Sequence, residues 1–267
     1  MKFSVIMNVY NEEEKLEYAL KSLKSFKNCD EILIADMNSN DDTVNIAKKY
    51  GARILEIPYC KNFDSARSVI IENAKNEWCL LFDADEMISK TMAEKIESIV
   101  EENKYDVVYF PTINYFFGEK SKYGLHYPCH HCRLFRKENI IVTGIVHHYL
   151  EVKKDSKELW LYGEEYALVH FPFDNIDQWM KKRARYIDLE TDNKKFKSPL
   201  LCFIRNFNKF YFKEKNYKGG YSGFILSILC ATSEEIANIK KYYDSKSINI
   251  DEVKNKYLER IKIWGKD

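Results

Sequence analysis

The chain has 267 residues, 45% hydrophobic and 31% charged, with only 9 Gly and 5 Pro; that is enough for one large domain or one and a half, and it excludes disordered, collagen-like and low-complexity classes. Its 42 Lys/Arg balance 41 Asp/Glu, so no global charge draws it to nucleic acid. In chain order, residues 3–9 form a short β-rich apolar run, and Leu16, Ala19, Leu20 and Leu23 recur at helical spacing. Residues 31–35 predict a second strand, followed by a helix that Asp42 and Thr43 cap and that runs through Tyr50, with Gly51 placed to end it. A third strand over 53–57, a helix over 64–74 and a fourth strand over 78–82 complete the alternation. Strands alternating with helices predict a parallel, doubly wound α/β sheet whose ligand sits beyond the carboxyl ends of its strands. After a helix from 90 to about 103 the pattern changes. Strands over 105–115 and 132–135 lack long helices between them, so this half of the sheet is predicted to be mixed. From residue 175 onward the chain reads as helical and basic: residues 179–219 hold 12 Lys/Arg against 4 Asp/Glu, whereas residues 1–100 hold 13 against 18.

Acidic residues follow three of these strands: Glu12 after the first, Asp36 after the second, and Asp83 with Asp85 after the fourth. All fall on the predicted ligand-binding edge. Two carboxylates at i and i+2 beside a buried strand suit Mg²⁺ or Mn²⁺, which takes one or two protein carboxylates and fills its sphere with phosphate oxygens; a D-x-D in an acidic turn is also a common accident. No glycine-rich phosphate loop or dinucleotide fingerprint is present.

Four segments occur in order: residues 4–13, the turn Asp36-x-x-Ser39-x-Asp41-Asp42-Thr43, residues 62–67, and Asp83-Ala84-Asp85-Glu86. Together they resemble the family 2 glycosyltransferases of the GT-A fold, most closely over residues 2–90. Arg133-Leu134-Phe135-Arg136, Gly144-x-Val146-His147, His170-Phe171-Pro172 and Tyr186-x-x-Leu189-Glu190 extend the likeness to the subgroup that adds glucose or a similar sugar to lipopolysaccharide cores. The resemblance implies a GT-A catalytic domain over 1–172, with a nucleotide-sugar half over 1–103 and an acceptor half over 104–172, and a helical basic extension over 173–267. It implies an inverting, metal-dependent transfer of a hexose from a UDP-sugar to a hydroxyl of a cell-envelope glycan or glycolipid. Donor contacts then fall to Tyr10 (base), Asn11 and Glu12 (nucleoside), Asp36 (the N3–H of uracil), Arg67 (base or diphosphate) and Asp83 (ribose), with Ala84 beside it in the donor site. Asp85 holds the metal and His147 faces the metal or the diphosphate. In the subgroup the Val-His pair is followed by Glu; here His148 follows and Glu151 comes three residues later, so the general base is His148 or Glu151. The alternatives are a non-catalytic nucleotide-sugar or glycan-binding protein and a sugar nucleotidyltransferase, the latter disfavoured by the missing glycine loop.

Seven cysteines, an odd number scattered through the chain, read as reduced thiols. Cys129-His130-His131-Cys132 has half of a zinc-site spacing, and an ordinary strand is the other reading. The N-terminal apolar run is too short for a signal peptide, and the longest later run, residues 223–232, is half of a membrane span. A cytoplasmic protein is expected. Its basic, aromatic C-terminal region either rests peripherally on an anionic membrane or packs on the catalytic domain.

Overall fold

The structure is a computed structural model that describes residues 1–60, 63–123, 129–142, 150–190, 198–246 and 248–264. Strand β1 (Phe3–Val9), helix α1 (Leu16–Leu23), β2 (Cys29–Asp36), α2 (Thr43–Lys49), β3 (Arg53–Glu56), α3 (Phe63–Asn73) and β4 (Trp78–Leu81) follow the alternation that the hydrophobic periodicity predicts. Then come β5 (Glu86–Met87), α4 (Lys90–Glu102), β6 (Val107–Phe116), β7 (Glu119–Lys120), β8 (Cys129–Arg136), β9 (Ile140–Ile141), β10 (Glu151–Val152), β11 (Glu158–Trp160) and β12 (Leu168–Phe173). Helices α5 (Ile176–Glu190), α6 (Pro199–Asn208), α7 (Gly220–Ser245) and α8 (Ile250–Trp264) complete the chain.

The main sheet runs β3-β2-β1-β4-β8-β6-β12-β5, with β7 and β11 also pairing to β6. β3, β2, β1 and β4 are mutually parallel. β8 lies antiparallel to both β4 and β6, and β12 runs parallel to β6. The sheet is therefore mixed, as the change of pattern after residue 103 predicts. β9 and β10 form a separate two-stranded ribbon.

β1 is apolar almost throughout because both of its faces are covered. Phe3, Val5, Met7 and Val9 join a core with Leu16, Ala19, Leu20 and Leu23 of α1 and Met92, Ile96 and Ile99 of α4. Ile6, pointing the other way, meets Ile70 and Ile71 of α3. α4 begins at Ser89, whose hydroxyl accepts from the Met92 N–H at 3.0 Å, and ends at Asn103 in the left-handed region at φ 55°. Gly51, at φ 76°, ends α2 in the same way.

The C-terminal helices pack on the sheet through α5, which contacts β12 and α7, and α6 lies along α7. A Cβ at Gly223 of α7 would lie 1.9 Å from the carbonyl oxygen of Asn216 in the turn before the helix, so this approach admits only glycine. Among the described residues no helix is long and apolar enough to cross a membrane.

Candidate active site

The loops after β1 and β2 are laced together. The Asn11 N–H donates to Ser39 Oγ at 2.9 Å, and the Asn40 N–H returns to Asn11 Oδ1 at 2.8 Å. The Glu12 N–H donates to Thr43 Oγ1 at 2.8 Å. Asn11 adopts φ 53°, a conformation its short polar side chain tolerates. Asp36, at the end of β2, is 4% exposed and accepts from the Ser39 N–H at 3.2 Å. Tyr10 leans on Tyr59, ring centroids 4.5 Å apart. These bonds hold the β1 and β2 loops as one wall.

A cavity of about 520 Å³ opens at this edge, lined by Tyr10, Asn11, Glu12 and Asp85 among others. Lys15, Lys181 and Lys182 bring positive charge to it. Lys15 also ties the wall to β12, donating to the carbonyls of Phe171 at 2.7 Å and Pro172 at 3.2 Å.

β4 is buried throughout, and the chain turns at Asp83-Ala84-Asp85 immediately beyond it. The two carboxylates face different partners. Asp83 Oδ2 accepts from Arg133 Nη1 at 2.9 Å, and Arg133 Nη2 donates to Glu86 Oε1 at 2.6 Å. Arg133 is the extra residue of a bulge in β8: Val108 pairs with Leu134 and Tyr109 with Cys132, leaving Arg133 unmatched. A bulge re-aims the side chain it carries, here into the two carboxylates. Burial would raise the Asp83 pKa, but the charges of Arg133 and Arg67 hold it below the usual range. Arg67, on α3, thus acts on Asp83 through its charge. Glu86 is fully buried, which pushes its pKa up to about 7 against the pull of Arg133. Ala84 is buried between the two networks.

Asp85 has its own set. His170 Nε2 lies 3.3 Å from Oδ1 and Lys182 Nζ 3.2 Å from Oδ2. Burial would raise the Asp85 carboxyl, but Lys182, His170 and Lys15 hold it well below the usual range. Burial likewise would lower His170, and the Asp85 charge raises it instead. The other ring nitrogen, Nδ1, is 2.7 Å from Asn114 Oδ1. An amide oxygen only accepts, so Nδ1 carries a proton, and the raised pKa draws the ring towards the imidazolium, whose Nε2–H faces the Asp85 carboxylate as an ion pair. Loss of the Nε2 proton would leave a lone pair beside Oδ1, so Asp85 and His170 are two groups that could hold a divalent cation in that proton's place, with Asn114 orienting the imidazole as outer partners of metal-bound histidines do. Two protein ligands would leave the other positions to substrate oxygens and water.

Tyr10, Asn11, Glu12 and Asp85 thus meet in one cavity; Asp36 lies at the adjoining strand end and Asp83 beside Arg133, neither they nor Arg67 in its lining. His147 and His148 lie outside the described residues. Glu151 stands exposed on β10, opposite Ile141 in the two-stranded ribbon. Sequence reasoning missed His170 and Lys182 as partners of Asp85, and Asn114 as the partner of His170; the His170-Phe171-Pro172 run was the available signal. Cys129 and Cys132 are regular strand residues three apart, which places them on opposite faces. Burial pushes the Cys132 thiol up to about 12, and His130 Nε2 donates to the Leu161 carbonyl at 2.9 Å.

The profile of glycosyl transferase family 2 matches residues 4–156. An uncharacterized glycosyltransferase of Rickettsia typhi is 28% identical over 248 residues, 86% of this chain and 83% of its own length. One from Rickettsia conorii is 28% identical over 277 residues, covering 97% and 96%. The crystal structure of S. aureus TarS in complex with UDP-GlcNAc superposes with a TM-score of 0.50 at 16% identity, over 91% of this chain and 89% of that one, which places the sheet among GT-A folds. With the family's profile spanning more than half of its length, this chain is a transferase enzyme that belongs to glycosyl transferase family 2.

Proposed function

We propose that the enzyme is an inverting, metal-dependent hexosyltransferase that uses a UDP-sugar and glycosylates a hydroxyl of a cell-envelope glycan or glycolipid. The observation that carries this reading is the facing pair Asp85 Oδ1 and His170 Nε2 at 3.3 Å, with Asp85 in the wall of the cavity that also holds Tyr10, Asn11 and Glu12 and His170 in the wall of the cavity beside it. The carboxyl edge of a doubly wound sheet is where a nucleotide belongs. Tyr10 offers its ring to the base, Asp36 accepts from uracil N3–H, and Asp83 faces the ribose. Asp85 and His147 hold the cation, as the resemblance implies, and His170 joins them from β12. Bound Mn²⁺ or Mg²⁺ supplies positive charge to the leaving diphosphate. Lys182 and Lys15 add fixed positive charge on the same side of the cavity. The acceptor oxygen bonds to the anomeric carbon as the bond to the diphosphate breaks. The electron pair leaves with UDP, and the hydroxyl proton passes to His148 or Glu151.

We assign this chemistry to residues 1–172, and the helices over 173–267 to an extension that completes the acceptor side and contacts the membrane peripherally. The subgroup resemblance supports a cell-envelope acceptor. The fold shared with a structure that holds UDP-GlcNAc supports a uridine donor.

Isothermal titration with UDP, GDP and CDP in the presence of Mn²⁺ tests the donor: UDP binds most tightly, and equal affinities would remove the uracil assignment. For the base, His148→Ala or Glu151→Gln is expected to cut turnover ~10²–10⁴-fold with UDP affinity nearly unchanged. Full transfer by both single variants would place the base elsewhere.

A further inference from the structure

Away from the donor site, a group of rings gathers where β11 lies beside β6. β11 runs parallel to β6 with Trp160 opposite Tyr109, which sets the two side chains on one face of the sheet. Their rings stack, centroids 4.0 Å apart and planes within 7° of parallel. His130 of β8 tilts against Trp160 at 5.6 Å and against Tyr162 at 5.1 Å. Tyr109 is separated from Asn114, the partner of His170, by about 17 Å of β6. The odd spacing between the two residues puts them on opposite faces of the sheet. The rings are therefore separate from the Asp85–His170 pair.

The polar ends of these rings are already held. Trp160 Nε1 donates to Glu158 Oε2 at 3.1 Å. Burial, with the Glu158 carboxylate as hydrogen-bond partner, pushes the Tyr109 hydroxyl up to about 12, so it keeps its proton and donates to that carboxylate. His130 Nε2 donates to the Leu161 carbonyl, and the Leu161 N–H donates to the Tyr109 carbonyl at 3.0 Å. These bonds fix the indole before any ligand arrives. Even so, Trp160 is 42% exposed and Tyr162 67%. Tyr109 covers one face of the indole, so the exposure falls on its other face and outer edge.

Two exposed rings beside an exposed carboxylate define the chemistry of an occupant. The C–H face of a pyranose suits such rings, and rings fixed in advance lose little freedom on binding. A carboxylate only accepts, at about four lone-pair positions; those left over by Trp160 and Tyr109 suit the hydroxyl donors at a sugar's rim. The same charge opposes an anionic occupant such as nucleic acid or an acidic lipid surface. An enzyme that transfers sugars meets uncharged glycan chains.

We propose that Trp160, Tyr162 and Glu158 form a second glycan-binding site, apart from the catalytic cavity, that takes an uncharged oligosaccharide with one pyranose on each ring. Such a site holds a polymeric glycan near the enzyme and raises its local concentration. It rests on membership of the family and not on the metal or uridine readings. The test uses the full chain with cellohexaose, maltohexaose and N-acetylchitohexaose, and with methyl glucoside as a single sugar. Binding is read by saturation-transfer NMR and by indole emission. At least one hexasaccharide should bind about tenfold or more tightly than methyl glucoside, because two rings engage instead of one. Trp160→Ala should abolish that binding. Tyr162→Ala should weaken it about fivefold or more while melting as wild type, since Tyr162 is exposed; this variant carries the test if Trp160→Ala does not fold. Glu158→Gln keeps an acceptor for the indole and should weaken binding about threefold or more, as charge-assisted hydrogen bonds become neutral ones. UDP with Mn²⁺ should bind every folded variant as it binds wild type, so a failure of the donor reading shows in that titration alone. Wild type that binds none of the hexasaccharides, or binding that Trp160→Ala and Tyr162→Ala leave unchanged, overturns the proposal. A dimer in sedimentation velocity that Trp160→Ala dissolves also overturns it, and would assign the rings to a second copy of the chain.

Discussion

Arg133 neutralises two carboxylates at once. Its guanidinium forks between Asp83 at 2.9 Å and Glu86 at 2.6 Å, and Glu86 has no exposed surface. Removing one partner of a buried charge network costs more than the network contributes, because the remaining charges stay buried and uncompensated. Arg133→Met is thus expected to cost about 3 kcal/mol or more at neutral pH, a fall in melting temperature of roughly 6–12 °C. The loss should depend on pH. The folded pKa of Glu86, pushed up to about 7, lies above its ordinary 4.5, so the folded state holds a proton that the unfolded state gives up. Stability from this group is then lost as pH rises between those values. Without Arg133 the folded pKa climbs further, so the deficit is larger at pH 8 than at pH 5.5. Melting curves of both proteins at the two pH values check this; equal deficits would contradict the buried-pair assignment.

Elements differ in how plainly the sequence announces them. β1, β2 and β4 are parallel and largely covered on both faces, so each reads as an apolar run, and α1 and α4 show their buried stripes at 3.6 spacing. Asp36 and Asp85 could be singled out because they end such strands. β5, β7, β9 and β10 are two residues long and carry no periodic signal. β12 is short, partly exposed and broken by Pro172, and its place beside β6 depends on pairing across more than fifty residues. His170 was therefore visible only as part of a motif, and Lys182 reaches Asp85 from 97 residues away. The C-terminal helices carry both a packed face and an exposed apolar one. Cys202 and Asn206 of α6 are buried, whereas Leu200 and Leu201 are each 68% exposed and Ile204 and Phe212 lie out with them. Apolar side chains beside Arg205, Lys209 and Lys213 suit an anionic lipid surface. The protein should sediment with phosphatidylserine-containing vesicles at low salt and be released as salt screens the attraction. The double change Leu200→Ser and Leu201→Ser should abolish sedimentation; no binding by wild type at low salt would leave these residues without a lipid role.

At the scale of the whole molecule, the chain is neutral but divided, with an acidic first hundred residues and a basic stretch over 179–219. The fold brings the two together at one place: the acidic strand ends meet α5, and Lys182 sits on Asp85. In the proposed donor site, acidic residues of the first half would hold the cation, while Lys182 of the second half would lie beside the diphosphate. Metal and nucleotide should then bind weakly apart and tightly together, each raising the affinity for the other by the same factor. The most direct measurement is a titration of UDP into wild type and Asp85→Asn, each with Mn²⁺ and with chelator. The amide keeps the shape of the side chain and removes its charge. Wild type should bind UDP at least about tenfold more tightly with Mn²⁺ than with chelator, within the usual range of such couplings, and Asp85→Asn should lose that difference while melting as a folded protein. A wild type indifferent to Mn²⁺, or a variant that keeps the same metal effect, would contradict the metal-dependent donor site.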